Sequence, residues 1–385
     1  MSWNNAIRHF VMPFAAALMF VLAGCTTQKD TDKVPITTSS EEAKKEFLLG
    51  RDLVERTLVQ KSISHFESAI AKDANFAMAY LRLAQTSQTA KPFLENLKKA
   101  VALADKASNG ERLMILAFEA GVNGNPVKQK KFYDSLVAAY PKDERAHLAL
   151  GDYYNGQQEY AKAAEQYKKA TELDSVFSPA YNSLGYAYRA MDQNADAEKA
   201  FKKYIELIPN DPNPFDSYAE LLMKMGRFDE SIAQYEKALA LEPDFVTSHI
   251  GIAANLLFKG KPDEADARLQ KLYDIAHSDG ERLGALFAKT IHYVDGGKMD
   301  KAVQEMDKQF ALAEKINDAW VMSSDLSTKG AILLQAGKYD EASAAFEKSK
   351  QIVEGSDLPQ AIKDQNKLGQ HYSAAMLAMK KKDLG

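Results

Sequence analysis

Small and large apolar residues alternate along this chain at offsets that repeat every 34 residues. Around Gly151 the order is His147, Leu150, Gly151, Tyr154, Ala163, Tyr167 and Ala170; around Gly185 it is Tyr181, Leu184, Gly185, Tyr188, Ala197, Phe201 and Pro209. Carried forward, the offsets fall on Phe215, Ala219, Leu222, Gly226, Ser231, Tyr235, Ala238 and Pro243, then on His249, Ala253, Leu256, Gly260, Ala265 and Leu269. Carried backward, they fall on Leu113, Ala117, Ala120, Gly124, Tyr133 and Pro141, so residues 110–279 hold five units in one register. The pattern predicts two antiparallel helices per unit. Where they cross, one side must be small so that a large residue opposite can fill the space. Gly151, Gly185 and Ala219 are the small partners on first helices, and Ala163, Ala197 and Ser231 on second helices, with the aromatics Tyr167, Phe201 and Tyr235 expected to fill the gaps between successive units. Gly226, Gly260, Gly297 and Gly337 fall where a left-handed residue ends a first helix, and Pro209 and Pro243 where a second helix stops.

This period and these small and large positions resemble the tetratricopeptide repeat family of helix–turn–helix units. The resemblance implies an all-α fold, a right-handed superhelix (α-solenoid) of about eight helix–turn–helix units closed by a C-terminal capping helix. Residues 43–107 read as degenerate N-terminal units around Leu49, Gly50, Phe66 and Ala69, with a shortened pair at 77–107. Two further units occupy 283–356, after extra residues expected in the turns near Ser278 to Arg282 and Lys315 to Met322. Leu368, Gly369 and Tyr372 repeat the first-helix signature alone, so residues 357–385 are expected to form a cap with a polar outer face. The near-identical pentamers Asn109-Gly110-Glu111-Arg112-Leu113 and Asp279-Gly280-Glu281-Arg282-Leu283 read as a shared helix start.

The amino terminus changes the picture of where the repeats work. Arg8, an apolar run from Phe10 to Phe20 and the ending Leu22-Ala23-Gly24-Cys25 make residues 1–24 a secretory signal rather than a span. The ending resembles the bacterial lipoprotein box, and Cys25 is the sole cysteine of 385 residues. That resemblance implies lipidation at Cys25, with Thr26 in place of the inner-membrane retention Asp, and hence outer-membrane anchoring facing the periplasm of the bacterial cell envelope. Residues 25–42 then read as the lipidated cysteine and a flexible tether rich in Thr and Ser.

The chain carries a net charge of −4, and loss of Arg8 with the signal makes the mature protein one unit more negative, which argues against nucleic-acid partners. With Cys25 used, no disulfide framework or thiolate metal site remains. Phosphate-binding glycine loops and the HExxH metal motif are absent, so the chain is expected to be no enzyme and to need no cofactor or metal. His147 and His249 share a repeat position with Tyr181 and Phe215 and read as packing residues; the runs Lys128–Lys131 and Lys380–Lys382 read as solvated faces.

By the same resemblance, function lies on the concave face formed by first helices. The groove residues expected there are Asp152, Asn155, Asn182, Tyr186, Arg189, Asp216, Glu220, Met223, Leu257 and Phe258, with Arg145, Leu148, Ile250 and Ala254 beside them. The acidic positions exclude the lysine and asparagine clamp that some repeat proteins use for terminal carboxylates. The expected function is a membrane-anchored scaffold or adaptor that binds protein partners of the envelope; the alternative is a lipoprotein that captures a glycan or peptide beside a transporter.

Overall fold

The computed structural model describes residues 32–87 and 89–382; the signal segment and Cys25 lie outside them. Among the described residues there are nineteen α-helices and no strand. The first eighteen form nine antiparallel pairs: α1 (Glu41–Glu55) with α2 (Val59–Lys72), α3 (Ala77–Thr86) with α4 (Ala90–Leu103), α5 (Asn109–Val122) with α6 (Pro126–Ala139), α7 (Glu144–Gly156) with α8 (Tyr160–Leu173), and α9 (Ser178–Ala190) with α10 (Asn194–Leu207). They continue through α11 (Pro212–Lys224) with α12 (Phe228–Leu241), α13 (Val246–Phe258) with α14 (Pro262–Ile275), α15 (Asp279–Asp295) with α16 (Met299–Lys315), and α17 (Ala319–Gln335) with α18 (Tyr339–Glu354). The last helix, α19 (Gln360–Lys382), stands alone. The pairs number one more than the expected eight.

Glycine notches set the packing inside each pair. A Cβ on Gly151 would lie 2.5 Å from the Tyr167 ring, on Gly185 2.6 Å from Phe201, and on Gly330 2.5 Å from Phe346. Tyr167, Phe201 and Tyr235 are wholly buried, each contributing about 1.5–3 kcal/mol by burial. Two of these aromatics therefore fill the gap within their own unit rather than between units, while Tyr235 fits against Gly251 on the next first helix. First helices end on a positive φ as expected, at Gly226, Gly260, Gly297 and Gly337.

Side-chain caps start many first helices. Asp143, Asp211, Ser278 and Asp318 each accept from backbone N–H groups one turn in, and Ser108 forms a reciprocal capping box with Glu111. The two matching pentamers are both such starts. The extra residues near Ser278 and Lys315 do not lengthen turns; they lengthen α15, α16 and α17 to 17 residues each. Each added residue gains a helical hydrogen bond, whereas in a turn it would only add chain entropy to be lost. The exposed surface of α19 is only partly polar, with Asp364, Lys367 and His371 beside large apolar side chains. Leu368 and Tyr372 are about 70% exposed (72% and 69%), and nothing lies within 4 Å of a Cβ built on Gly369. The helix keeps the signature of a first helix, and no second helix fills its notch among the described residues.

Two features bend this array back on itself. The α1–α2 turn crosses to later loops: Arg56 Nε donates to Asp211 at 2.5 Å, Lys61 pairs with Glu242 at 2.5 Å, and Leu58 packs on the cluster of Tyr235, Leu239 and Phe245. The start of α4 follows, with Ala90 N donating to Asp318 at 3.2 Å. Residues 32–40, expected to be part of a flexible tether, instead form an extended strap along the loops that precede α3, α5 and α7. Val34 N donates to Asp143 (2.7 Å), Thr37 N to Glu111 (2.9 Å), and Thr38 Oγ1 and Ser39 N to Asp73 (2.6 and 2.9 Å). These acceptors are buried carboxylates, and an unpaired buried charge is costly enough to hold the strap in place.

Candidate functional site: the chamber of the first five units

The first helices of the first five units face one cavity of about 560 Å³. Its walls come from Phe47, Arg51, Val54 and Glu55 on α1, Met78, Leu81, Arg82 and Gln85 on α3, Glu111 and Met114 on α5, Arg145, Leu148 and Asp152 on α7, and Asn182 on α9. The strap supplies Lys33, Val34, Pro35 and Ile36 as a rim. Helical spacing places these residues together: Phe47, Arg51 and Val54 sit at the same offsets from the Leu49-Gly50 pair as Leu148, Asp152 and Asn155 do from Leu150-Gly151.

Three guanidinium groups share this space unequally. Arg145 is fully paired, with Glu55 at 2.9 and 3.1 Å and with Glu144 at 2.6 Å, and it stacks on Phe177 at 4.7 Å. Arg51 reaches Glu55 only at 3.8 Å. Arg82 has no carboxylate within ion-pair distance among the described residues; its guanidinium donates to Gln85 (2.9 Å), and its buried Nε has no partner. Desolvation, with the Arg145 charge nearby, pushes both Arg51 and Arg82 below the usual guanidinium range. Asp152 lines the chamber, and desolvation there pushes its carboxyl up to about 6, although it accepts from Tyr167 at 2.8 Å. Burial likewise pushes Tyr133 up to about 12. Asn182 lines the same chamber, and its buried Oδ1 also lacks a donor. Two residues of the same cavity therefore carry an orphan donor and an orphan acceptor, the complements of a peptide C=O and N–H.

Of the ten groove residues expected from sequence, Asp152 and Asn182 line this chamber. Tyr186, Arg189, Asp216 and Glu220 instead bond to one another and to neighbouring first helices. Tyr186 donates to Ser217 (3.2 Å), Arg189 pairs with Glu220 (3.1 Å), and Ser248 donates to Asp216 (2.6 Å). Asp216 is only 3% exposed, and desolvation pushes it up to about 7, so it is a packing residue rather than an open contact. Asn155 is exposed at the end of α7, and Met223 and Leu257 are half-buried outside the chamber. Phe258 is exposed but stacks on Phe228 at 5.7 Å. Beyond the chamber the first-helix face turns apolar, with Phe287 and Ile291 exposed on α15. His147 and His249 serve packing, their Nε2 atoms bonding the carbonyls of Pro141 and Pro243 at 3.0 and 2.9 Å. Arg51, Glu55 and Arg82 were missed from sequence because no groove offsets were carried into the degenerate first units; the Leu49-Gly50 and Leu83-Ala84 pairs were the available signal.

Three segments match profiles described as tetratricopeptide repeat: residues 131–176, 178–211 and 222–290. No curated protein matches the sequence. Among solved structures, a MamA protein aligns at 25% identity and TM-score 0.36, covering 43% of this chain and 91% of its own. YrrB, titled a TPR protein with an unusual peptide-binding site, aligns at 19% identity and TM-score 0.32, covering 47% and 91%. Yeast Tom70 aligns at 18% identity and TM-score 0.49, covering 79% and 67%. The chain carries tetratricopeptide repeats in those three segments, and its fold is an all-α tetratricopeptide-repeat solenoid.

Proposed function

We propose that this protein is a scaffold lipoprotein of the bacterial cell envelope, held at the outer membrane through Cys25 and facing the periplasm, that takes an extended segment of a partner protein into the chamber of its first five units. Tetratricopeptide-repeat solenoids bind protein partners in general and are generally not enzymes. The observation that carries the reading is that two residues lining one cavity carry unsatisfied groups, the Arg82 Nε donor and the Asn182 Oδ1 acceptor. The sequence ending Leu22-Ala23-Gly24-Cys25 supports the anchor. Among the described residues no helix is long and apolar enough to cross a membrane.

A photo-crosslinking amino acid at Gln85, which lines the chamber, tests the reading in cells, with Lys168 on the outer helix α8 as the control position. A discrete protein adduct is expected from Gln85 and not from Lys168. Arg82→Glu is expected to reduce it at least tenfold, since a charged partner left facing a like charge costs more than about 1.4 kcal/mol. An adduct unaffected by Arg82→Glu would exclude the chamber as the site. No protein adduct, together with a glycan or free peptide retained on the purified protein, would favour the capture of a small ligand instead.

A further inference from the structure

The strap fixes where the upstream chain leaves the solenoid. Ser39 and Thr38 are held at the α2–α3 loop by Asp73, Thr37 and Pro35 at the start of α5, and Val34 at the start of α7. Val34 is seated over Gly110, where an added Cβ would lie 2.7 Å from both of its methyl groups. Lys33 pairs with Glu144, and Asp32 with Lys142 at 3.2 Å. The chain therefore enters at the fourth unit and runs backward across the loop edge to the first. It joins the array at its middle, not at its end.

We propose that this loop edge, around the α6–α7 and α8–α9 loops, is the face turned toward the membrane, so that the chamber rim is presented to a segment of a partner held in or at the same bilayer. The inference rests on the reading of Cys25 as the lipid anchor. Six residues separate Cys25 from Asp32, and the seven steps between them, fully extended, span at most about 25 Å. The opposite edge, where the turns within each unit lie, stands farther off: α7 has 13 residues and so spans about 20 Å between the two edges. Strap residues Lys33 to Ile36 line the chamber, which keeps its rim on the near side.

The test uses the full chain purified in its processed form and reconstituted into phosphatidylethanolamine and phosphatidylglycerol vesicles carrying a rhodamine headgroup acceptor. Cys25 is the sole native cysteine, so a thioether-linked lipid leaves no competing thiol. Val176→Cys on the α8–α9 loop and Gln157→Cys on the α7–α8 turn, both exposed, then give one donor site each. Energy transfer from position 176 is expected to exceed that from position 157 by at least twofold. Val34→Asp, which drives a carboxylate against Asp143 and Glu144, is expected to release the strap and remove the difference. Should that variant fail to fold, insertion of a six-residue Gly-Ser linker between Thr31 and Asp32 is expected to lower transfer from both positions. Equal transfer from the two edges of vesicle-bound protein, or stronger transfer from position 157, overturns the orientation. If the native chain binds vesicles no better than a Cys25→Ser control, the anchor fails, and the membrane-facing assignment with it.

Discussion

Replacing Gly185 by Ala separates two physical effects of opposite sign. In a helix interior the exchange alone favours Ala by about 1 kcal/mol. At Gly185, however, the new methyl would sit 2.6 Å from Phe201 Cε1, closer than real contacts allow. The ring cannot withdraw: Phe201 is wholly buried, with Tyr186 edge-on at 5.2 Å and Tyr218 and Leu221 behind it. Overpacking of this kind costs about 1–3 kcal/mol, which cancels the gain and leaves Gly185→Ala destabilising by up to roughly 2 kcal/mol. Gly369 on α19 carries the same signature with its notch empty, and Gly284 on α15 is equally open. There the propensity gain stands alone, and each Ala substitution is expected to stabilise by up to about 1 kcal/mol. Urea unfolding followed by circular dichroism, with the three variants compared in one background, measures the signs. Stabilisation at Gly185 equal to that at Gly369 would refute the notch argument.

Other consequences follow from the buried charges. Arg56→Ala leaves the nearly inaccessible Asp211 with only the Asn213 N–H at 3.2 Å and is expected to cost about 1–3 kcal/mol. Hydrogen exchange should quicken at the α1–α2 turn while α9 and α10 keep their protection. Asp216, held up to about 7 by desolvation against an ordinary 3.8, binds its proton more tightly in the folded state. Its contribution is therefore fully present below about pH 4 and is lost as pH rises through 7. Asp216→Asn is expected to flatten the fall in stability between pH 4 and 8, as read from urea midpoints.

Much of the fold was legible because the packing rule is written in residue size. Gly151, Gly185 and Gly330 announce the notches, and Tyr167, Phe201 and Phe346 fill them within the same unit. Helix lengths were less legible: the 17-residue helices α15 to α17 extend the pattern without a break in composition, so extra residues could equally be placed in turns. The closure was not legible at all. Arg56 and Asp211 are 155 positions apart, and no local pattern links them. The same holds for the strap, whose Thr and Ser composition reads as coil until buried Asp73, Glu111 and Asp143 accept its backbone and hydroxyl groups. Groove residues divided accordingly. Asp152 and Asn182 face the chamber, whereas the residues from Tyr186 to Glu220 turn to one another, because successive first helices there place donors opposite acceptors.

The chamber exists only if the first unit folds back onto later loops, and a distance across that closure tests this most directly. Spin labels at Gln60→Cys on the start of α2 and Leu241→Cys at the end of α12, in a Cys25→Ser background, lie at exposed positions flanking the Lys61–Glu242 pair. Pulsed dipolar spectroscopy is expected to give one narrow distribution at short range, broadened and lengthened by Arg56→Ala. A broad, long distribution in the unmutated closure would mean that the solenoid is open and that its first five units enclose no chamber.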